Sequence, residues 1–228
     1  MNNRTKLWYL ENINLFEGMP KEKMDMLAGK LKMQNFGKNE IIYFASEPSL
    51  SIFLLKAGKV KLSRISEEGK EIITAILNPG EIFGELALSG NSAREDNAIA
   101  IDDAVICTIS KNSLEEILLE NPKLNLKITK LIGLKLQRVE RDLEALVFKD
   151  SNERIIGFLS KYAEQFGKKI GTEIFVKSSF THQDIANLTA TSRQTVSTLF
   201  NHLKSKGIID FSRKKIIIRD PVILAKMQ

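Results

Sequence analysis

Cysteine and histidine are nearly missing from this chain. Its 228 residues contain one cysteine, Cys107, and two histidines, His182 and His202. One thiol excludes an internal disulfide, a cysteine-rich zinc site and a multi-cysteine iron–sulfur cluster within a single chain. Two histidines are too few for most histidine-based metal centres. Long apolar runs are missing as well. No window approaches about 18 uncharged apolar residues, the length a membrane-spanning helix needs. The opening segment, MNNRTKLWYLENINLF, lacks the continuous apolar core and small-residue cleavage site of a secretory signal. The expectation is a cytoplasmic protein with no metal and no membrane partner.

The length suits about two domains. Apolar residues make up 43% and charged residues 27%, the range of a globular protein. The net charge of +6 is unevenly spread. Residues 1–110 carry 13 Lys/Arg against 15 Asp/Glu, residues 111–150 carry 8 against 7, and residues 151–228 carry 13 against 6. A basic last third tied to a slightly acidic first half points to a polyanion partner for that third alone.

Three textures follow one another. After short helical segments over 5–35, interrupted at Gly18-Met19-Pro20, come short β-type runs at 41–44, 52–55, 60–62, 72–77, 98–101 and 105–109. Turn pairs separate them: Glu47-Pro48, Ala57-Gly58, Glu68-Gly69 and Pro79-Gly80. Many short strands at regular spacing predict a β-sandwich or jelly roll. Residues 1–150 hold no histidine, which excludes a barrel metalloenzyme built on a histidine cluster. Over 111–148 the period changes to that of one long helix. Ile132, Leu136, Val139, Leu143 and Leu146 follow a 4-3-4-3 spacing, a heptad seam narrow enough to suit a partner helix. The third texture, 151–228, reads as helices followed by a terminal hairpin, 208–211 with 215–219, whose turn is Ser212-Arg213-Lys214. Asp150-Ser151-Asn152 is a candidate hinge and N-cap before a helix over 153–166. The fold class is therefore α+β, divided into a jelly roll at 1–110, a dimerisation helix and hinge at 111–150, and a basic helical domain with a terminal hairpin at 151–228.

Within the third domain Thr181 opens a short helix whose apolar residues are Ile185 and Leu188. Thr189-Ala190-Thr191 forms a turn, and Ser192 caps a second helix running to about Lys204. Val196, Leu199 and Leu203 fall on one stripe. Arg193, Gln194, Ser197, Thr198 and Asn201 fall on the other, a small hydrogen-bonding face suited to the major groove. Arg pairs bidentately with guanine and Gln with adenine, so Arg193, Gln194, Ser197 and Thr198 are the candidate base readers. Thr181, His182 and Ser192, near helix N-termini, and Arg213, Lys214 and Lys215, on a basic wing, are the candidate backbone contacts. His202 reads as a polar surface residue. Cys107, inside a β-run, reads as a buried thiol rather than a redox switch.

Two motifs carry a resemblance. Asn78-Pro79-Gly80-Glu81-Ile82-Phe83-Gly84-Glu85-Leu86-Ala87-Leu88 resembles the phosphate cassette of cyclic-nucleotide-binding jelly rolls. Thr181-His182-Gln183-Asp184-Ile185-Ala186 with Ser192-Arg193-Gln194-Thr195-Val196-Ser197 resembles the helix-turn-helix of the CRP/FNR regulators. The resemblance runs from about Phe16 to Arg219. It implies a homodimeric bacterial transcription factor whose jelly roll senses, whose long helix dimerises and whose winged helix-turn-helix binds a two-fold operator in double-stranded DNA. Related dimers contact RNA polymerase. An enzyme is not implied.

The resemblance also shows where the sequence departs. In the cyclic-AMP-binding members a Gly-Glu pair holds the ribose, an Arg followed by Ser or Thr binds the cyclic phosphate, and two hydroxyl residues of the long helix reach the adenine. Gly84, Glu85 and Arg94 match. Leu86 and Ala87 continue the cassette. Glu95 and Asp96 stand after the Arg, and carboxylates beside a phosphate site repel the ligand. The aligned long-helix positions are Val139 and Glu140, and Val139 offers no hydrogen bond. Cyclic AMP is therefore disfavoured as effector, and the expectation is an empty cassette with Arg94 in a salt bridge to Glu85, Glu95 or Asp96; another small anion or an unrelated ligand stays open. An iron–sulfur sensor of the FNR kind needs N-terminal cysteines, and a haem sensor a histidine on the jelly roll; neither is expected. On the DNA side Arg193 matches the guanine-reading Arg, while Gln194 replaces the commonest Glu and Thr198 an Arg. That predicts a half-site keeping one G·C contact and shifting the rest.

Overall fold

The computed structural model describes residues 15–16, 18–90, 92–177, 180–212 and 215–227. Contacts group the chain into two units, one drawing on 1–70 and 74–136, the other on 71–73 and 137–228. Helix α1 (Lys21–Lys30) leads into eight strands: β1 (Lys32–Phe36), β2 (Ile41–Tyr43), β3 (Ser51–Ala57), β4 (Val60–Ile65), β5 (Glu71–Leu77), β6 (Ile82–Phe83), β7 (Asn97–Ala100) and β8 (Ala104–Ser110). They form two four-stranded sheets, ordered β1-β8-β3-β6 and β2-β7-β4-β5.

β3 shows why its sequence reads as an unbroken apolar run. Both of its faces are covered, as a two-sided strand requires. Phe53 and Leu55 join Tyr43, Val60, Leu77, Phe83, Ala98 and Ile106 between the sheets. Ile52 and Leu54 join Leu27, Cys107, Ile109, Leu114 and Ile117 on the opposite side. Cys107 is thus buried, opposite Leu54 and Met33 in the ladders.

Two expectations are corrected here. The segment expected to be helical up to residue 35 is a strand from Lys32, because its backbone pairs with β8 from Lys32↔Thr108 to Phe36↔Ala104. The segment read as one helix over 111–148 is two: α2 (Lys111–Glu120) and α3 (Pro122–Phe148). Pro122 has no N–H to continue α2, and it suits the first turn of a new helix. Asn121 closes the junction, donating from Nδ2 to Ile117 O (2.9 Å). The helical expectations over 5–14 lie outside the described residues.

α3 carries two neighbouring stripes. Leu124 and Ile128 are buried and Leu131 packs beside them on the first unit's core. The seam residues Ile132, Leu136, Val139, Leu143 and Leu146 are all exposed, between 45% and 62%.

After α3 the second unit continues with α4 (Ser151–Phe166), where Asp150 accepts from Asn152 N and Glu153 N while the Glu153 carboxylate accepts from Asp150 N. This reciprocal cap satisfies orphan donors of the first turn. Ile155, Ile156, Leu159 and Tyr162 are the buried face of α4. β9 (Lys168–Ile170), β10 (Glu173–Lys177), α5 (His182–Thr189), α6 (Arg193–Ser205), β11 (Ile209–Ser212), β12 (Lys215–Ile218) and α7 (Pro221–Lys226) follow. The sheet order is β11-β12-β10-β9. The β9–β10 hairpin and α7 add to the elements read from the sequence. Among the described residues no helix is long and apolar enough to cross a membrane.

Candidate functional site

α5 and α6 form the helix-turn-helix, and each end of it is locally determined. Thr181 caps α5 by accepting from Asp184 N (3.1 Å), and Asp184 accepts in return from Thr181 N (2.8 Å). Ala190 ends the helix at φ +49°, a left-handed conformation that an alanine adopts only under constraint. The constraint is Arg154 of α4. Its Nε donates to Thr189 O (2.9 Å) and its Nη2 to Ala190 O (3.2 Å), while Nη1 donates to Lys149 O (2.8 Å). One guanidinium therefore clasps the carbonyls that the turn leaves without helical partners. Ser192 then caps α6, accepting from Thr195 N at 3.0 Å.

α6 buries Val196, Leu199, Phe200 and Leu203. Arg193, Gln194, Thr198 and Asn201 are exposed and Ser197 is half-buried. The structure thus brings the candidate base readers to one side of one helix. The hydroxyls of Thr181 and Ser192, expected at the DNA backbone, serve as caps. His182 turns inward instead of standing free. Its Nδ1 lies 2.9 Å from Ser197 Oγ, and its ring packs on Phe200 and Phe211 at centroid distances of 5.0 and 5.5 Å. Burial, and then the nearby charge of Arg193, hold this imidazole below its ordinary pKa. β11 and β12 are the wing, with Ser212 opposite Lys215. Lys215 is exposed; Arg213 and Lys214 lie outside the described residues. At the other end of these strands Asp210 pairs with Lys204 (2.8 Å) and Arg219 (3.5 Å), and Arg219 with Glu173 (2.9 Å). His202 is exposed, as the sequence suggests.

The cassette of the first unit runs from β6 into a short 3-10 helix, Glu85–Ser89. Gly84 precedes it at φ +74°, and a Cβ there would stand 2.5 Å from Arg94 Nη1 and 3.2 Å from Ser51 O. Both the backbone angle and the close approach require glycine. Arg94 is 7% exposed. The expected salt bridge to Glu85, Glu95 or Asp96 is not what holds it. Nη2 donates to Ser51 O (2.5 Å) and Nη1 to Gly84 O (3.4 Å). The guanidinium carbon lies 4.5 Å from the centre of the Tyr43 ring and 5.1 Å from that of Phe53, a desolvated cation–π cage.

The carboxylates have other partners. Glu95 pairs with Arg64 at 2.6 Å. Asp96 accepts from the Tyr43 hydroxyl at 3.0 Å, and burial pushes its carboxyl above the ordinary value. Burial, then Asp96, push the Tyr43 hydroxyl far up. Glu85 accepts from Lys135 of α3 (Nζ to Oε1, 2.8 Å), and the same ammonium donates to Ile82 O at 2.7 Å. This pair is well shielded, with side chains 24% and 14% exposed. Leu86 is exposed and Ala87 buried.

Lys135 is the α3 residue that reaches the cassette, and the sequence reading passed over it in favour of Val139 and Glu140. Both of those are exposed. The signal was there: Leu124, Ile128, Leu131 and Lys135 continue one stripe at 4-3-4 spacing, so Lys135 faces the surface its apolar neighbours cover. Arg154 was also missed, and no local spacing ties it to a turn so far along the chain.

Residues 33–121 match the model of the cyclic nucleotide-binding domain, and residues 153–227 that of the Crp-like helix-turn-helix domain. The chain is 31% identical over 196 residues to the global nitrogen regulator of Nostoc sp., covering 85% of this chain and 88% of that protein. It is 25% identical to the CRP-like cAMP-activated global transcriptional regulator of Mycobacterium tuberculosis, covering 95% and 97%. Its fold resembles that of a CooA mutant from Carboxydothermus hydrogenoformans, with a TM-score of 0.78, 27% identity and coverage of 94% and 95%. The first two relatives are named as regulators, not enzymes. With a nucleotide-binding-type jelly roll, a DNA-binding helix-turn-helix and a relative of this identity along most of its length, the chain belongs to the CRP/FNR family of transcription regulators.

Proposed function

We propose that this regulator works in the cytoplasm as a homodimer on a two-fold operator and engages RNA polymerase there, without gating by cyclic AMP. The observation that carries the effector part is the state of the cassette. Arg94, at the position that binds the cyclic phosphate in cyclic-AMP-binding members, spends both terminal nitrogens on backbone carbonyls inside an aromatic cage. Glu85, at the ribose position, is held by Lys135. A nucleotide would have to break these bonds and face Glu95 and Asp96 as well. Neither haem nor an iron–sulfur cluster has a role in this proposal.

The exposed seam of α3 supports the dimer. Burying a Leu or Val side chain fully is worth about 1.5–3 kcal/mol, and roughly half of that remains to be gained at each seam position. Paired α3 helices would set two recognition helices about 34 Å apart, in successive major grooves. Arg193, Gln194, Ser197 and Thr198 would read bases. Thr181, Ser192, Lys215 and the Arg213-Lys214 turn would meet phosphates. Sedimentation of the wild type and of Leu143→Glu tests the assembly. The wild type should be a dimer and the variant a folded monomer that no longer protects a two-fold site; a dimeric variant with full protection contradicts the seam.

A cyclic-AMP-gated activator is the second reading. Gly84, Glu85 and Arg94 favour it by matching the cassette, as does the likeness to a cAMP-activated relative. Calorimetric titration with cyclic AMP separates the two: heat and a saturable isotherm at micromolar nucleotide support the second.

A further inference from the structure

We propose that His182 is a specificity-positioning residue, which sets the rotamer and the hydrogen-bond polarity of Ser197 at the DNA surface. The inference rests on Ser197 being a base reader and concerns what Ser197 presents. Its hydroxyl lies 2.9 Å from His182 Nδ1. The ring cannot drift away, since Phe200 of α6 meets it edge-on at 5.0 Å and Phe211 of β11 packs at 5.5 Å. His182 therefore ties together the start of α5, the recognition helix and the wing. A serine hydroxyl otherwise rotates to suit its surroundings; here one of its bonds is taken.

Two consequences follow from hydrogen-bond chemistry. When the neutral imidazole accepts at Nδ1, Ser197 spends its proton on the histidine and offers the groove lone pairs, which suit the amino group of cytosine or adenine. When the imidazole is protonated, both ring nitrogens are donors. Ser197 must then accept from Nδ1, and its own proton is free to turn to the groove, where guanine O6 or thymine O4 would take it. Protonation inverts the preference at one base pair and leaves the others alone. Among the described residues Arg193 on α6 is the charged group that acts on the ring; Asp184, two residues further along α5, bonds Thr181, and Lys204 Nζ stands 5.4 Å from the centre of the Phe211 ring that packs on the histidine. Burial, and then Arg193, oppose protonation, which favours the neutral ring at neutral pH; with its proton on Nε2 that ring is the acceptor at Nδ1.

The test is binding by the full-length protein to a library of half-sites varied one base pair at a time, at about pH 7.5 and about pH 5, the lower value set well below a free histidine's pKa because this ring's is held down. The expected wild-type result is a change of preference of about three- to tenfold at a single base pair between the two pH values. Ser197→Ala should abolish that preference at both pH values. His182→Phe, which keeps the aromatic packing, should weaken it and remove its pH dependence. His182→Asn, whose amide oxygen can accept from Ser197 without titrating, should restore the neutral-pH preference at both. A wild-type preference that ignores pH, with Ser197→Ala unchanged at every base pair, overturns the proposal even if the His182 variants fail to fold. So does a His182→Phe protein that loses affinity equally for all sequences, the mark of a phosphate contact. A library in which Arg193→Ala also changes nothing would instead overturn the docking of α6 itself, which separates the two failures.

Discussion

The Lys135–Glu85 bridge offers the most quantitative check on the closed cassette. Its two bonds, 2.8 Å to the carboxylate and 2.7 Å to Ile82 O, sit where both side chains are mostly shielded. At 2.8 Å the charges lie far inside the screening length of about 8 Å at physiological salt. Hydrogen bonds to charged groups contribute about 1.5–3 kcal/mol each, and a shielded carboxylate stripped of its partner keeps its desolvation cost. Lys135→Met should thus destabilise the protein by roughly 2–3 kcal/mol, and Glu85→Gln by about 1–2 kcal/mol, because Lys135 keeps its carbonyl bond. The double variant should fall short of the sum by about 1–2 kcal/mol, since its two losses are the same interaction. Urea unfolding of the four proteins, followed by a signal from the jelly roll, measures this cycle, and raising salt should leave the coupling nearly unchanged. Additivity within about 0.5 kcal/mol would mean that the bridge holds nothing, and the closed cassette would lose its main support.

Three further outcomes follow from the second unit. Arg193→Ala should cost about 1–3 kcal/mol at one G·C pair of the half-site, whereas Lys215→Ala should weaken all sequences alike and lower the salt slope by about one; competition titrations at several salt concentrations distinguish them. Ala190→Gly should stabilise the helix-turn-helix by about 0.5–1 kcal/mol, because glycine adopts the observed positive φ without the alanine's strain; an unchanged or lower midpoint would show that Arg154 has already absorbed that strain. His182 has a pKa held down in the folded state, so below about pH 6.5 the unfolded chain takes up a proton that the folded chain resists. Stability should therefore fall as pH drops through that value, and His182→Phe should flatten this part of the profile in thermal unfolding.

The sequence disclosed some of this and hid the rest for identifiable reasons. Ile52 to Leu55 read as a strand because both faces of β3 are covered, so every position is apolar. Ser192 was legible as a cap, and Asp150-Ser151-Asn152 as a capping segment, since capping needs a hydroxyl or carboxylate within a few residues of the orphan N–H; Thr181 was read as the first helical residue and is instead the cap before it. The break at Asn121-Pro122 was legible too, had the proline been weighed against the heptad pattern that begins ten residues later. β1 and β9 were not. Their residues, KMQNF and KKI, are largely exposed, and they are strands because β8 and β10 supply backbone partners. The cassette divided in the same way. Gly84, Glu85 and Arg94 could be placed by motif, while the cage of Tyr43 and Phe53 and the carbonyl of Ser51 come from strands more than 40 residues earlier in the chain. Spacing within a motif says nothing about such partners, and so Arg94 was assigned to carboxylates next to it in sequence that turn elsewhere in space.

DNA binding by the purified, nucleotide-free protein to a randomised duplex pool, at one fixed salt concentration with and without cyclic AMP, tests the central claim most directly. The account predicts that a two-fold site emerges without nucleotide and that cyclic AMP leaves both its sequence and its affinity unchanged. Selection that succeeds only when cyclic AMP is present would contradict it, and would mean that Arg94 and Lys135 release their protein partners to the nucleotide.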